Sequence, residues 1–177
     1  MRGPAGLHDP FDFIQGTIRV SLQDFATWLS ETSLSIALTD SPSAFPAIES
    51  IHVIAITLVV GSIMIVDLRL LGLASKERDP RDLIGSILPI TWIAFAIALI
   101  TGSLLFAANP ISYVANFYFL GKLLLLAAAG FNMLLFHIFT HRQLDRAGAV
   151  LPKVSGGASL LLWVVIVAFG RWIGFTL

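Results

Sequence analysis

Seven ionisable side chains lie in or beside apolar stretches of this chain: Glu49, His52, Asp67, Arg69, Lys122, His137 and Arg171. An ionisable group at membrane depth costs about 2.5–3.5 kcal/mol on insertion scales and marks a site by default. A neutral imidazole is a common metal ligand. A lysine whose amine is neutral offers a second nitrogen, and an arginine matches a carboxylate. His52 and Lys122 are therefore axial-ligand candidates for a haem iron, with Arg171 as the clamp for a propionate. Gly170 beside Arg171 would let a flat ring approach. Glu49 sits about one turn before His52 on the same helix face.

Each of these residues also has a plainer reading. His52 could hydrogen-bond a neighbouring helix. Lys122 and Arg171 could snorkel to the headgroups. Asp67 and Arg69 read as an anchor at an inner helix end. His137 and His141 are four apart, which is metal-site spacing, yet Arg142 follows them, so they are the weaker candidates and suit an interface. Asn132 suits helix–helix bonding. No residue stands out as catalytic.

Four elements must position these groups. A membrane helix needs about 20 mainly apolar residues. Four stretches qualify, at about 46–72, 83–107, 113–141 and 154–175. Asn109-Pro110 stops the second, because proline cannot continue a helix. Gly156-Gly157 predicts a close helix contact. Depth follows from a rise of about 1.5 Å per residue. His52 lies about 9 Å and Lys122 about 13 Å below the outer starts of their spans, and Arg171 about 6 Å from the outer end of its own. All three fall in one layer. His137 lies about 22 Å further inward than Lys122, so it cannot share an iron with His52.

The first 45 residues form a separate segment. Ile14, Ile18, Leu22, Phe25 and Leu29 recur three or four apart, with Trp28 beside them. That spacing predicts an amphipathic helix over about 11–31, lying in the membrane interface. No basic start with an apolar core precedes it, so no cleavable signal peptide is expected. Residues 1–45 are thus an extracytoplasmic interfacial segment and residues 46–177 an up-down four-helix transmembrane domain, an all-α membrane protein.

Composition agrees. Of 177 residues, 56% are hydrophobic and 12% charged, with a mean hydropathy of +0.87. A soluble domain carries about twice that charge. Eleven basic residues balance eleven acidic ones, which excludes a nucleic-acid binder. The absence of cysteine excludes disulfides, iron–sulfur clusters and thiol catalysis. Continuous apolar runs exclude a β-barrel. Arg69, Lys76, Arg78, Arg81, Arg142, Arg146 and Lys153 gather in two loops, against Arg2, Arg19 and Arg171 on the other side. Basic loops stay cytoplasmic, so both termini are expected on the extracytoplasmic side of the membrane.

Glu49-Ser-Ile-His52-Val-Ile-Ala-Ile-Thr-Leu-Val-Val-Gly61 resembles the first helix of CopD-like bacterial membrane proteins. Gly121-Lys122 through Asn132 resembles the lysine-to-asparagine helix of the same group. A first-helix histidine with a third-helix lysine also resembles the J-type protoporphyrinogen oxidases, four-helix proteins in which that pair is implicated in binding haem b. Asp67-Leu-Arg69-Leu-Leu-Gly72 and Gly170-Arg171-Trp172-Ile173 look like signatures of an uncharacterised bacterial relative of these. The resemblance covers about 46–175. It implies haem b on His52 and Lys122 and a membrane electron-transfer or oxidoreductase role. A quinol or an extracytoplasmic redox partner would then exchange the electrons, and the chain could be a homo-oligomer or a subunit of a larger complex. Asn132 stands nearest to where the oxidases carry a further histidine. Two other readings stay open. One is a CopD-like copper or small-solute permease, although only Met1, Met64 and Met133 offer thioethers. The other is a cofactor-free accessory subunit.

Overall fold

The computed structural model describes residues 10–74, 77, 79–140 and 150–177, with side chains from residue 20 onward except 80, 139 and 140. Every regular element among them is helical. Helix α1 runs Pro10–Ser30 and α2 runs Ser33–Asp40. The long helices are α3 (Ala44–Leu70), α4 (Pro80–Ala108), α6 (Phe117–Leu135) and α7 (Val150–Thr176), with the short α5 (Pro110–Ala115) between α4 and α6. A single π-helical turn, Phe136–Thr140, extends α6.

Local chemistry sets these boundaries. The Thr32 hydroxyl accepts from Ser35 N at 3.3 Å and opens α2. Gly72, at φ 76°, turns the chain out of α3 in a conformation that costs glycine little. The Asp79 carboxylate accepts from Arg81 N at 2.7 Å, and Pro80 fills the first helical position of α4. The Asn116 side chain accepts from the amides of Tyr118 and Phe119 at 2.9 and 3.2 Å, and so starts α6. The third span expected from about 113 therefore divides. Tyr113 belongs to α5, and the helix that carries Lys122 begins at Phe117. The segment before the first span also holds two helices rather than one.

Helices α3, α4, α6 and α7 are each long and apolar enough to cross a membrane. They alternate in direction and form a four-helix bundle. Their outward faces carry bare apolar side chains such as Leu124, 74% exposed, which is what a lipid environment requires. The bundle is an open ring. Helix α3 packs on α4 and α7, and α7 packs on α6. No described Cα of α4 comes within 8 Å of one in α6. Glycine lets α7 come close to its neighbours. A Cβ on Gly156 would lie 3.1 Å from Leu70 Cβ and 3.2 Å from the Asp67 carbonyl, and one on Gly121 would lie 2.6 Å from Phe169 Cε1. The close contact expected at Gly156 is there.

One end of the ring is capped. Helix α1 rests on α5, and α2 rests on α4, where Thr39 donates to the Ala108 carbonyl at 3.2 Å. Helix α1 seats itself through Ala26, 1% exposed, while Leu22, Phe25 and Trp28 stay uncovered. An uncovered apolar stripe beside a membrane domain suits an interfacial helix.

Candidate functional site

The layer predicted from depth can be rebuilt from the observed helix ends. His52 lies eight residues inside α3, Lys122 five inside α6, and Arg171 five from the end of α7. At about 1.5 Å per residue these are depths of about 12, 8 and 8 Å below the capped end. His52 is half-buried against α4. Its Nδ1 lies 2.9 Å from Thr101 Oγ1, and the threonine hydroxyl in turn donates to the Ile97 carbonyl at 2.7 Å. With that hydroxyl proton committed to the carbonyl, Nδ1–H is the donor to Thr101, and the Ala98 carbonyl is a further hydrogen-bond partner of the ring. Gly102 makes the approach possible, since a Cβ there would fall 2.9 Å from His52 Cε1.

Lys122 reaches the same layer from α6. Its amine lies over Gly170, where a Cβ would be 3.4 Å from Nζ, and its charge acts on the His52 ring. The space over Gly170, expected to admit a flat ring, holds the lysine side chain. Among the described residues the half-buried Lys122 makes no hydrogen bond or ion pair. Arg171 is exposed, about 100° round α7 from Gly170, with its guanidinium 4.7 Å from the Phe175 ring centroid. Glu49 is exposed and acts electrostatically on Tyr113. Burial first, and then that carboxylate, push the Tyr113 phenol above its ordinary value, so it stays neutral.

An aromatic cluster roofs this layer at the capped end. Phe106 of α4 stacks on Phe119 of α6 with centroids 5.4 Å apart and planes 7° apart, and Tyr113 leans on both. These three rings bridge the α4–α6 gap that the backbones leave open. Below them the gap continues as a cavity of about 230 Å³ between the α3–α4 and α6–α7 pairs.

A second polar group lines that cavity at the far end. Asp67 was expected to be an interfacial anchor, yet it is only 4% exposed. The Ser159 hydroxyl donates to its carboxyl, while Oδ2 is buried without a partner among the described residues. The cause is the tight α3–α7 crossing at Gly156, which folds α7 over this turn of α3. Nearby, Asn132 Nδ2 donates to the Ser155 carbonyl at 3.1 Å and Ser155 Oγ donates back to Asn132 Oδ1 at 3.3 Å. Asn132 thus joins α6 to α7, as its type predicts. His137 is exposed at the π turn, with Nδ1 3.0 Å from the Met133 carbonyl. It lies about 22 Å along α6 from Lys122. His141 lies outside the described residues.

The structure therefore sets His52 and Lys122 in one layer on α3 and α6, whose described Cα atoms all stay more than 8 Å apart, with Arg171 and Glu49 exposed nearby and His137 at the opposite end. Thr101 and Gly102 escaped the sequence reading, because threonine and glycine are ordinary in a membrane helix. Their only signal is adjacency in an otherwise apolar run, Ile100-Thr101-Gly102-Ser103. Among the described residues no group of three or more His, Cys, Asp or Glu could hold a bare metal ion.

One family model matches the chain, over residues 30–176: a family of unknown function (DUF6644). No curated protein and no solved structure matches it.

Proposed function

We propose that this chain, which belongs to the DUF6644 family, is a b-type haem protein of a bacterial inner membrane that passes electrons to or from a partner on the outer side. The observation that carries the reading is the His52–Thr101 pair in the same layer as Lys122, which makes no hydrogen bond or ion pair among the described residues. A metal-binding histidine almost always donates its other ring N–H to a fixed acceptor, which orients the ring. Thr101 is placed to be that acceptor for His52 Nδ1.

The donor set also fits. A porphyrin brings four nitrogens of its own and asks the protein for one or two axial ligands. The site offers one imidazole and one amine, which is too few donors for a bare ion and enough for a haem. What a haem supplies when bound is a one-electron iron couple whose potential follows its ligands and surroundings. The chain's residues do the rest. His52 presents Nε2, and Thr101 and Gly102 hold its ring. Lys122 supplies a second nitrogen or a positive charge in the same layer. Arg171 and its exposed guanidinium suit a propionate at the rim. Phe106, Tyr113 and Phe119 exclude water from the capped side. The partner fits a quinol or an extracytoplasmic redox protein.

The test is optical. The detergent-purified protein should be red with a Soret band. His52→Ala should lose it, and His137→Ala should keep it. Lys122→Met should shift the spectrum if the amine ligates iron. A colourless wild-type protein, or haem retained in His52→Ala, overturns the reading and returns the chain to the permease or accessory-subunit alternatives.

A further inference from the structure

The cavity between the two helix pairs has features that the His52 layer does not use. Its walls include Trp92 and Phe95 of α4, Phe136 at the end of α6 and Trp163 of α7. Its volume of about 230 Å³ can be set against engineered apolar cavities of about 150 Å³, which bind benzene. One substituted aromatic ring fits it. Helices α4 and α6 stand apart along this side, so the cavity opens sideways, towards the lipid that the outward faces require. A tail attached to the ring would leave by that opening.

The polar atoms at the far end then decide what the ring must carry. Thr91 Oγ1 donates to Ser62 Oγ at 2.8 Å, Asn132 and Ser155 satisfy each other, and Ser159 donates to Asp67. His137, Trp92 and Trp163 add ring N–H groups to the walls, and among the described residues Asp67 Oδ2 is buried without a partner. A buried polar atom without a partner costs about 1–3 kcal/mol, so a ligand that satisfies it is bound more tightly. A carboxyl accepts through an oxygen whether or not it is ionised, so a donor on the ligand can satisfy it. A hydroxyl on an aromatic ring offers such a donor while the rest of the ring suits the apolar walls. Asp67 lines the cavity, and the broad terminal torsion of a carboxyl lets one of its oxygens turn towards a ligand there.

We infer that this cavity is a binding site for a lipid-soluble single-ring phenol, hydroquinones included, whose hydroxyl donates to Asp67 and whose tail runs out between α4 and α6 into the bilayer. The inference needs the cavity and the membrane but no haem, so a colourless protein leaves it standing.

Trp92 and Trp163 line the cavity and report on it directly. The full chain in detergent is titrated with a decyl-tailed phenol, a decyl-tailed hydroquinone, and the methyl ether of each, with tryptophan fluorescence as the readout. Saturable quenching is expected from both hydroxyl compounds, and about tenfold weaker binding from the ethers, which keep the shape and lose the donor. Quenching by the hydroquinone alone would narrow the ligand to quinols, and equal binding of both would leave the phenol as the recognised group. Asp67→Leu should bind hydroxyl and ether forms alike. Ala129→Phe, which fills the cavity from the α6 wall, should abolish saturable quenching. If the wild-type protein binds the ethers as tightly as the hydroxyl compounds, or shows no saturable quenching, the inference fails. The ether comparison uses only the wild-type protein, so a poorly folding variant cannot hide the result.

Discussion

At His52, a single hydrogen bond separates a ligand from a packing residue. A histidine that merely joins α3 to α4 would be satisfied by Thr101 and need nothing at Nε2. A histidine that binds iron needs Thr101 to fix its ring, and needs Nε2 free. The two readings diverge in Thr101→Val, which keeps the shape and removes the acceptor. Loss of such an orienting partner typically costs 10–100-fold in metal affinity. The variant should therefore fold, keep its helices by circular dichroism, and retain haem about tenfold less tightly, measured by transfer to an apo-globin scavenger. Unchanged haem retention would mean that Thr101 does not orient the ligand. His52 and Lys122 were legible in the sequence because a charge in an apolar run is conspicuous. Thr101 and Gly102 were not, because their role exists only once α3 and α4 cross there. Asp67 was legible as an anchor at a helix end, but its enclosure was not, because only the crossing at Gly156 buries it.

The helices themselves were legible wherever length and hydropathy carry the signal. The four spans fall within a few residues of their predicted limits. The misses came where capping outweighs hydropathy. Residues 113–119 read as one apolar run, yet Asn116 ends α5 and starts α6 by accepting from two amides, and its Nδ2 also donates to Thr176 of α7 at 2.8 Å. Glycine separates two kinds of helix position in the same way. A Cβ on Gly156 meets the Asp67 carbonyl at 3.2 Å, whereas one on Gly61 meets nothing within 4 Å. Gly156→Ala should push α3 and α7 apart and lower the melting temperature in detergent. Gly61→Ala should raise it by a few degrees, because alanine in a helix interior gains about 0.5–1 kcal/mol over glycine. Equal shifts of the same sign would mean that the α3–α7 crossing is looser than the structure has it.

For the whole molecule, the distribution of charge along the bundle axis sets the direction of any electron path. Arg69 at the end of α3, Arg81 at the start of α4 and Lys153 at the start of α7 all stand at the end opposite α1 and α5. In sequence, Lys76 and Arg78 lie between α3 and α4, and Arg142 and Arg146 between Thr140 and α7. Basic residues in short loops hold their end of a bundle in the cytoplasm. The capped end, with the His52 layer beneath its aromatic roof, would then face outward, and the phenol site would lie in the inner half of the bilayer. A reporter that is active only in the cytoplasm, fused after Leu177, should be silent, and the same reporter inserted between Thr140 and Val150 should be active. The reverse pattern would turn the molecule over. It would leave His52, Lys122 and Thr101 where they are in the bundle, but a haem there would exchange electrons with a cytoplasmic partner, so the outer-side part of the functional proposal would fail while its chemistry stood.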